Sequence, residues 1–181
     1  SRTTPGGETV KYVYEGGVLR TITDGQGRVY TLTFNGRYDL ELLQFPNGLF
    51  RRWEYDGRGR LVQAVDVKGN ATRYAYDRAD NLIRLEEPDG NVHRFEYDAM
   101  GNMVHASDNI REVRFTYGAL GVLKSREQER HHITFGYNSE LQLRRIGNEA
   151  GDNYLFELDG LGQVVTEIGF DGLRREYERD G

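Results

Sequence analysis

The chain contains no cysteine, which excludes a disulfide framework and any thiolate-held metal. No apolar run approaches the ~20 residues a helix needs to cross a bilayer, so membrane insertion is not expected. No stretch resembles a signal peptide. The net charge of −5 and pI near 5.5 provide no basic footprint for nucleic acid. Short basic pairs (Arg51 and Arg52, Arg144 and Arg145, Arg174 and Arg175) read as solvated strand faces. The glycines recur at turn spacing with no helix after them, so no phosphate-cradling loop is present. The 181 residues suffice for one ordinary domain. With 29% charged residues and a mean hydropathy of −0.72, the chain is too polar for a deep core. With 12% aromatics it is not composed like a disordered segment. A thin, single-sheet structure fits both observations.

What the chain does have is a repeat. From Arg52 it reads R-W-E-Y-D-G-R-G-R-L, from Arg73 R-Y-A-Y-D-R-A-D-N-L, and from Arg94 R-F-E-Y-D-A-M-G-N-M. Extending the period assigns anchors to Tyr14, Phe34, Tyr55, Tyr76, Tyr97, Tyr117, Tyr137, Leu158 and Tyr177, spaced 19 to 21 residues apart. Two residues before each anchor stand Tyr12, Leu32, Trp53, Tyr74, Phe95, Phe115, Phe135 and Phe156, until Arg175 breaks the series. These two slots hold 15 of the 21 aromatic residues, which free placement in a core would not produce. Residues 10–181 therefore read as about eight repeats. Residues 1–9 read as a lead that is disordered or of cloning origin, and the whole as a piece of something longer.

Each repeat has the chemistry of a hairpin. Asp one residue after the anchor and Gly four after it, as in Asp98 and Gly101, suit a type I turn followed by a left-handed residue. The aspartate can hydrogen-bond the turn backbone. The same spacing recurs half a period later at Asp24/Gly27, Asp66/Gly69, Glu87/Gly90 and Asn148/Gly151. Two turns and two short strands per repeat predict an all-β fold of 14 to 18 antiparallel strands (about two per repeat). A three-residue loop sets the anchor opposite the residue six positions on, Tyr76 opposite Leu82 for example, with Tyr74 on the same face. Strict alternation then assigns Arg73, Ala75, Asn81 and Ile83 to the other face. Tyr76 and Phe95 are expected to be largely buried, with Phe95→Ala costing about 3–5 kcal/mol. Ser125 to His132 reads as an irregular hairpin tip in preference to a short helix.

Candidate chemistry is sparse. An aspartate placed at every turn by the repeat is a turn former before it is an acid or base. Single aspartates a strand apart do not make the dense oxygen set of a calcium site. His131 and His132 point to opposite faces of a strand, and His93 and His105 have no spaced partner, so no metal site is assigned. No catalytic or cofactor-binding residue is assigned, no cofactor is expected, and the chain is not read as an enzyme. Tyr30, Tyr38 and Tyr154 could serve as sugar-stacking shelves. A propeller is disfavoured, since blades of about 40–45 residues would impose a doubled period that is not visible.

The unit G-x-x-x-R-Y-x-Y-D-x-x-G-R-L, matched most closely by residues 69–82 and 90–103, resembles the RHS repeat, also called the YD repeat. The resemblance covers nearly all of residues 12–181. It implies tandem hairpins joined into one long curled antiparallel sheet, part of a hollow shell. In bacterial polymorphic toxins and insecticidal toxin complexes such a shell encloses a toxic C-terminal domain; in teneurins a similar shell serves adhesion at the cell surface. The implied partners are the rest of the shell and the enclosed toxin domain. The implied location is secreted or at the cell surface, as part of a longer protein. The alternative is an adhesive module for carbohydrate or protein. Family shells that cleave themselves carry an Asp-Pro motif; here only Pro5, Pro46 and Pro88 occur, and none follows Asp, so that role transfers to no residue.

Two further expectations concern the whole. About sixteen strands at ~4.8 Å would close into a ring with a lumen of only about 7–11 Å radius. A 100-residue domain has a radius of gyration near 13 Å, so an open, curled sheet is expected from this piece, and enclosure from a longer array. Unpaired strand edges near residues 10–14 and 173–177 are expected to favour edge-to-edge self-association.

Overall fold

The computed structural model describes residues 2–3 and 9–178. The remainder of the expected lead, residues 1 and 4–8, lies outside the described residues. Two compact units are resolved, one ending at Val92 and one beginning at His93. The first carries strands β1 (Arg2–Thr3), β2 (Thr9–Glu15), β3 (Val18–Thr23), β4 (Val29–Phe34), β5 (Leu40–Gln44), β6 (Phe50–Tyr55), β7 (Leu61–Val65), β8 (Ala71–Tyr76) and β9 (Leu82–Glu86). The second carries β10 (Val92–Tyr97), β11 (Met103–Ser107), β12 (Glu112–Tyr117), β13 (Leu123–Gln128), β14 (His131–Tyr137), β15 (Leu143–Gly147), β16 (Asn153–Leu158), β17 (Val164–Ile168) and β18 (Arg174–Glu176).

Within each unit every strand pairs antiparallel with the next in sequence. A chain of short strands and tight turns can do little else: each hairpin closes locally before the next begins. The fold is all-β, in tandem hairpins. In each unit, turns that follow an anchor lie on one edge of the meander and the half-period turns on the other.

The anchor register is as the spacing requires. Phe34 faces Leu40, Tyr55 Leu61, Tyr76 Leu82, Tyr97 Met103, Tyr117 Leu123, Tyr137 Leu143 and Leu158 Val164. The first repeat is one residue shorter because Gly16 and Gly17, with φ of 58° and 82°, make a two-residue turn that sets Tyr14 opposite Leu19.

Strict alternation fails one residue further on. A β-bulge accompanies each anchor from Tyr14 to Leu158, so Tyr76 pairs with Leu82 but Ala75 pairs with Arg84, and Ile83 is the extra residue. The face opposite the ladder therefore pairs Ala75 with Arg84 and Arg73 with Glu86, and the alternation that assigned Ile83 to it is corrected. The bulge also brings Leu85 opposite Tyr74, on the ladder face, three residues after Leu82.

The expected burial is corrected too. Among the described residues no hydrophobic side chain is buried, and Tyr76 and Phe95 are half-buried. A single sheet covers its rings from the sides, by neighbouring strands, and not from above. The stretch 125–132 is also more regular than expected: Ser125 to Gln128 complete β13, Glu129 and Arg130 form a two-residue turn, and His131 and His132 open β14. Finally, Arg2 and Thr3 pair with Val10 and Thr9, so the first edge is covered at that point.

Candidate functional site: capped turns and an aromatic ladder

The turns after Phe34, Tyr55, Tyr76, Tyr97, Tyr137 and Leu158 are each closed by one side chain. In the fifth repeat, the N–H groups of Met100 and Asn102 donate to Oδ1 of Asp98 at 2.9 Å each, and Asn102 Nδ2 donates to Oδ2 at 2.9 Å. Backbone bonds complete the loop: Gly101 N–H to the Asp98 carbonyl (3.1 Å) and Asp98 N–H to the Asn102 carbonyl (2.9 Å). Gly101 sits at φ 84°, the left-handed conformation the turn requires.

The residue five after the anchor is matched to the residue one after it. Where the first is aspartate, an acceptor only, the second donates: Asn81 Nδ2 to Asp77 at 3.0 Å, and Arg60 Nε to Asp56 at 2.8 Å. Where the first is asparagine the polarity reverses: Asn35 Nδ2 donates to Asp39 (3.1 Å) and Asn138 Nδ2 to Gln142 (2.8 Å). Asn138 thus caps its turn as an aspartate would, with its Oδ1 accepting from Glu140 and Gln142 N–H. Gly118 has no such side chain, and its loop folds instead as a 3₁₀ turn over Ala119–Gly121, with Leu120 at φ 62°. The side-chain hydrogen bond from Arg60, with its backbone N–H and that of Arg58, holds the Asp56 carboxyl at about 2. Asn81 and Asn102 similarly lower Asp77 and Asp98. These shifts stabilise charged turn caps; they do not poise a general base near neutrality.

The ladder explains why the anchor is so often tyrosine. Tyr55 Oη donates to the Leu40 carbonyl at 3.0 Å, and Tyr117 Oη to the Met103 carbonyl at 2.8 Å. In both cases the acceptor is the residue facing the preceding anchor, so the hydroxyl ties one repeat to the one before. Elsewhere the guanidinium of Arg60 lies 4.8 Å from the Tyr76 ring centroid. The rung behind the anchors pairs Leu32 with Leu43, Trp53 with Ala64, Tyr74 with Leu85, Phe95 with Ala106 and Phe135 with Ile146. Shallow depressions of about 290 Å³ at Trp53, Ala64 and Thr72, and about 220 Å³ at Phe95, Ala106 and Val113, mark the two alanines.

The break at Arg175 is matched by another break in the facing strand. Glu167 holds the rung opposite both Phe156 and Arg175, 3.9 Å from the Arg175 guanidinium, and also accepts from Tyr154 Oη. An ion pair replaces an apolar contact there.

Turn tips of the first unit are clasped in series. The Arg37 guanidinium donates to the Gly57 carbonyl, and Arg58 to the Arg78 carbonyl (2.9 Å) and to Asp80 (2.8 Å). Arg60 also reaches Asp80, at 2.7 Å. Asp80 takes the left-handed turn position at φ 69°, which Gly59, Gly101 and Gly162 hold in their repeats and Tyr38 and Leu141 in theirs.

The residues considered for metal or sugar are not gathered. Among the described residues no three His, Cys, Asp or Glu side chains cluster as metal ligands. His131 pairs with Glu149 at 3.1 Å, and His105 lies between Glu96 (3.5 Å) and Glu112 (3.4 Å). His93 stacks on Phe95. Tyr30 packs edge-on against Phe45, and Tyr154 is held by Phe156, Phe170 and Glu167, so neither presents an open shelf. Tyr38 is exposed at a turn tip. The spacing marked Arg175 as a break in the series, but gave no sign that Glu167 faces it or that the residues one and five after an anchor are matched as donor and acceptor.

The described residues form a meander of capped hairpins with an aromatic ladder, a tandem repeat array. The RHS Repeat family model matches residues 55–92 and 76–109. Residues 55–109 are thus identified as RHS repeats.

No curated protein matches the sequence. Solved structures do share the fold. The TcdB2-TccC3-Cdc42 crystal structure is 17% identical with a TM-score of 0.65, over 84% of this chain and 10% of that one. TcdB2-TccC3 without its hypervariable C-terminal region is 17% identical with a TM-score of 0.65, over 87% and 10%. A Photorhabdus luminescens Tc holotoxin pore is 14% identical with a TM-score of 0.61, over 96% and 12%. The chain spans about a tenth of the length of these structures.

Proposed function

We propose that this chain is a wall segment of a larger RHS shell, in a secreted or surface protein, that encloses a toxic C-terminal domain. Its partners are the neighbouring repeats of the same shell and the enclosed domain, and its role is structural. The observation that carries the reading is the half-covered aromatic ladder: among the described residues no hydrophobic side chain is buried. A sheet of that kind is a wall, held from strand to strand and open on both faces. The likeness in fold to TcdB2-TccC3 complexes supports the same reading. A carbohydrate-binding role is less well supported, because Tyr30 and Tyr154 are engaged by their own neighbours.

Limited trypsin digestion of the full-length protein tests enclosure. The segment after the repeats should survive while the array is intact, and be cut at the rate of the isolated segment once the array is unfolded. Equal rates before and after unfolding would rule enclosure out.

A further inference from the structure

Asparagines that cap turns carry a chemistry the aspartates lack, because a side-chain amide can be lost. The backbone nitrogen of the next residue attacks the amide carbon and closes a cyclic imide. Three things govern that attack: whether the nitrogen is free, whether there is room beside it, and what steadies the amide oxygen as charge gathers on it. Asn35 meets all three conditions. Gly36 follows it, and the Gly36 N–H has no hydrogen-bond partner among the described residues. The space beside Gly36 is open: a Cβ there would meet nothing within 4 Å. Asn35 Oδ1 accepts the N–H groups of Arg37 at 2.8 Å and Asp39 at 3.0 Å, two donors aimed at the atom that turns negative during attack. Asn35 Nδ2 donates to Asp39 Oδ2 at 3.1 Å, which fixes the amide from its other end.

The remaining candidates each lack one of these features. Asn138 and Asn148 have the same pair of N–H donors on Oδ1, but Ser139 and Glu149 follow them in place of glycine. Asn47 is the other asparagine followed by glycine. There the Gly48 N–H is given to the Phe45 carbonyl at 2.9 Å, and a single N–H, that of Leu49, reaches Oδ1.

We propose that Asn35 is a site of spontaneous deamidation, its amide activated by its own turn. A bond forms between the Gly36 nitrogen and Asn35 Cγ, the Cγ–Nδ2 bond breaks, and the proton of the Gly36 N–H leaves with the amine as ammonia. Water then opens the imide at either carbonyl. The product is aspartate at position 35 or its isomer, in which the chain runs through the side-chain carbon. All the protein groups involved belong to residues 35–39.

The product opposes the turn that formed it. Asp24, Asp56, Asp66, Asp77 and Asp98 each face a side-chain donor, on Arg28, Arg60, Asn70, Asn81 and Asn102. A carboxylate at position 35 faces the Asp39 carboxylate instead, two acceptors at hydrogen-bond distance with no proton between them. Modification therefore weakens the β4–β5 hairpin with time.

The test incubates the whole chain in mildly alkaline buffer, both folded and unfolded in guanidinium chloride, and follows the two sites by mass spectrometry. Asn35 and Asn47 fall in separate tryptic peptides, residues 29–37 and 38–51. Unfolded, the two should convert at similar rates; folded, Asn35 should convert at least about tenfold faster than Asn47. If folding slows Asn35 as much as Asn47, the hydrogen bonds protect the amide and the proposal is overturned. An Asn35 that stays intact while Asn47 reacts would overturn it equally. N35D should unfold at a lower denaturant concentration than the parent, and N35D/D39N, which recreates the Asp77–Asn81 pairing, should recover the parent midpoint. Equal midpoints for N35D and the parent would overturn the claimed effect on the hairpin.

Discussion

At Asp56 and Asp98 a single carboxylate closes each turn, accepting two backbone N–H groups and one side-chain donor. That arrangement stabilises the charged form and makes the turns sensitive to acid. Asp56, ordinarily near 3.8, is held at about 2 in the folded protein, chiefly by Arg60. Its contribution to stability is therefore complete above pH ~4 and is lost as pH falls toward ~2. Urea midpoints measured from pH 6 to pH 2 should fall less steeply for D56N than for the parent. The left-handed turn position makes a second residue-scale case. Tyr38 is 70% exposed at φ 68°, whereas asparagine tolerates that conformation. Tyr38→Asn should raise stability by up to about 1 kcal/mol. A lower denaturation midpoint would show that the ring makes contacts that outweigh the strain.

Among elements, the bulge after each anchor has the largest consequence. It shifts the second strand of each anchor hairpin by one residue, so Leu82 and Leu85 share the ladder face despite their odd spacing. Alternation alone sets Arg84 there. The bulge was not legible in the sequence because a period of two describes a regular strand, and nothing local to Ile83 announces an extra residue. The ladder's energetics follow from its single layer. Phe95 is half-buried, so Phe95→Ala should cost about 1–2 kcal/mol, in proportion to the apolar area it covers. The 3–5 kcal/mol of a fully buried ring applies only if another layer covers this face, which a denaturation series on the intact protein would reveal.

For the molecule as a whole, stability is a sum of neighbour interactions, because each hairpin touches chiefly the next. Tyr117→Phe removes a hydroxyl tie to Met103 and should cost about 0.5–1.5 kcal/mol. Amide exchange should quicken in β10 to β13 and stay unchanged in β3 to β6. Uniform acceleration through both units would show a single cooperative block instead.

The sequence by itself determined the all-β class, the repeat boundaries, the anchor register and the chemistry of the turns. These are set within about ten residues, by side-chain-to-backbone bonds and glycine conformations that the local sequence dictates. Only the tertiary structure decided that the ladder is half-covered, that Tyr55 and Tyr117 bond to the repeat before, and that Glu167 answers Arg175. Each of these depends on which strands lie side by side, and on whether a second layer covers them. A one-dimensional pattern of turns leaves both open, because burial and contacts between repeats arise when strands about 4.8 Å apart bring together residues some twenty positions apart in the chain.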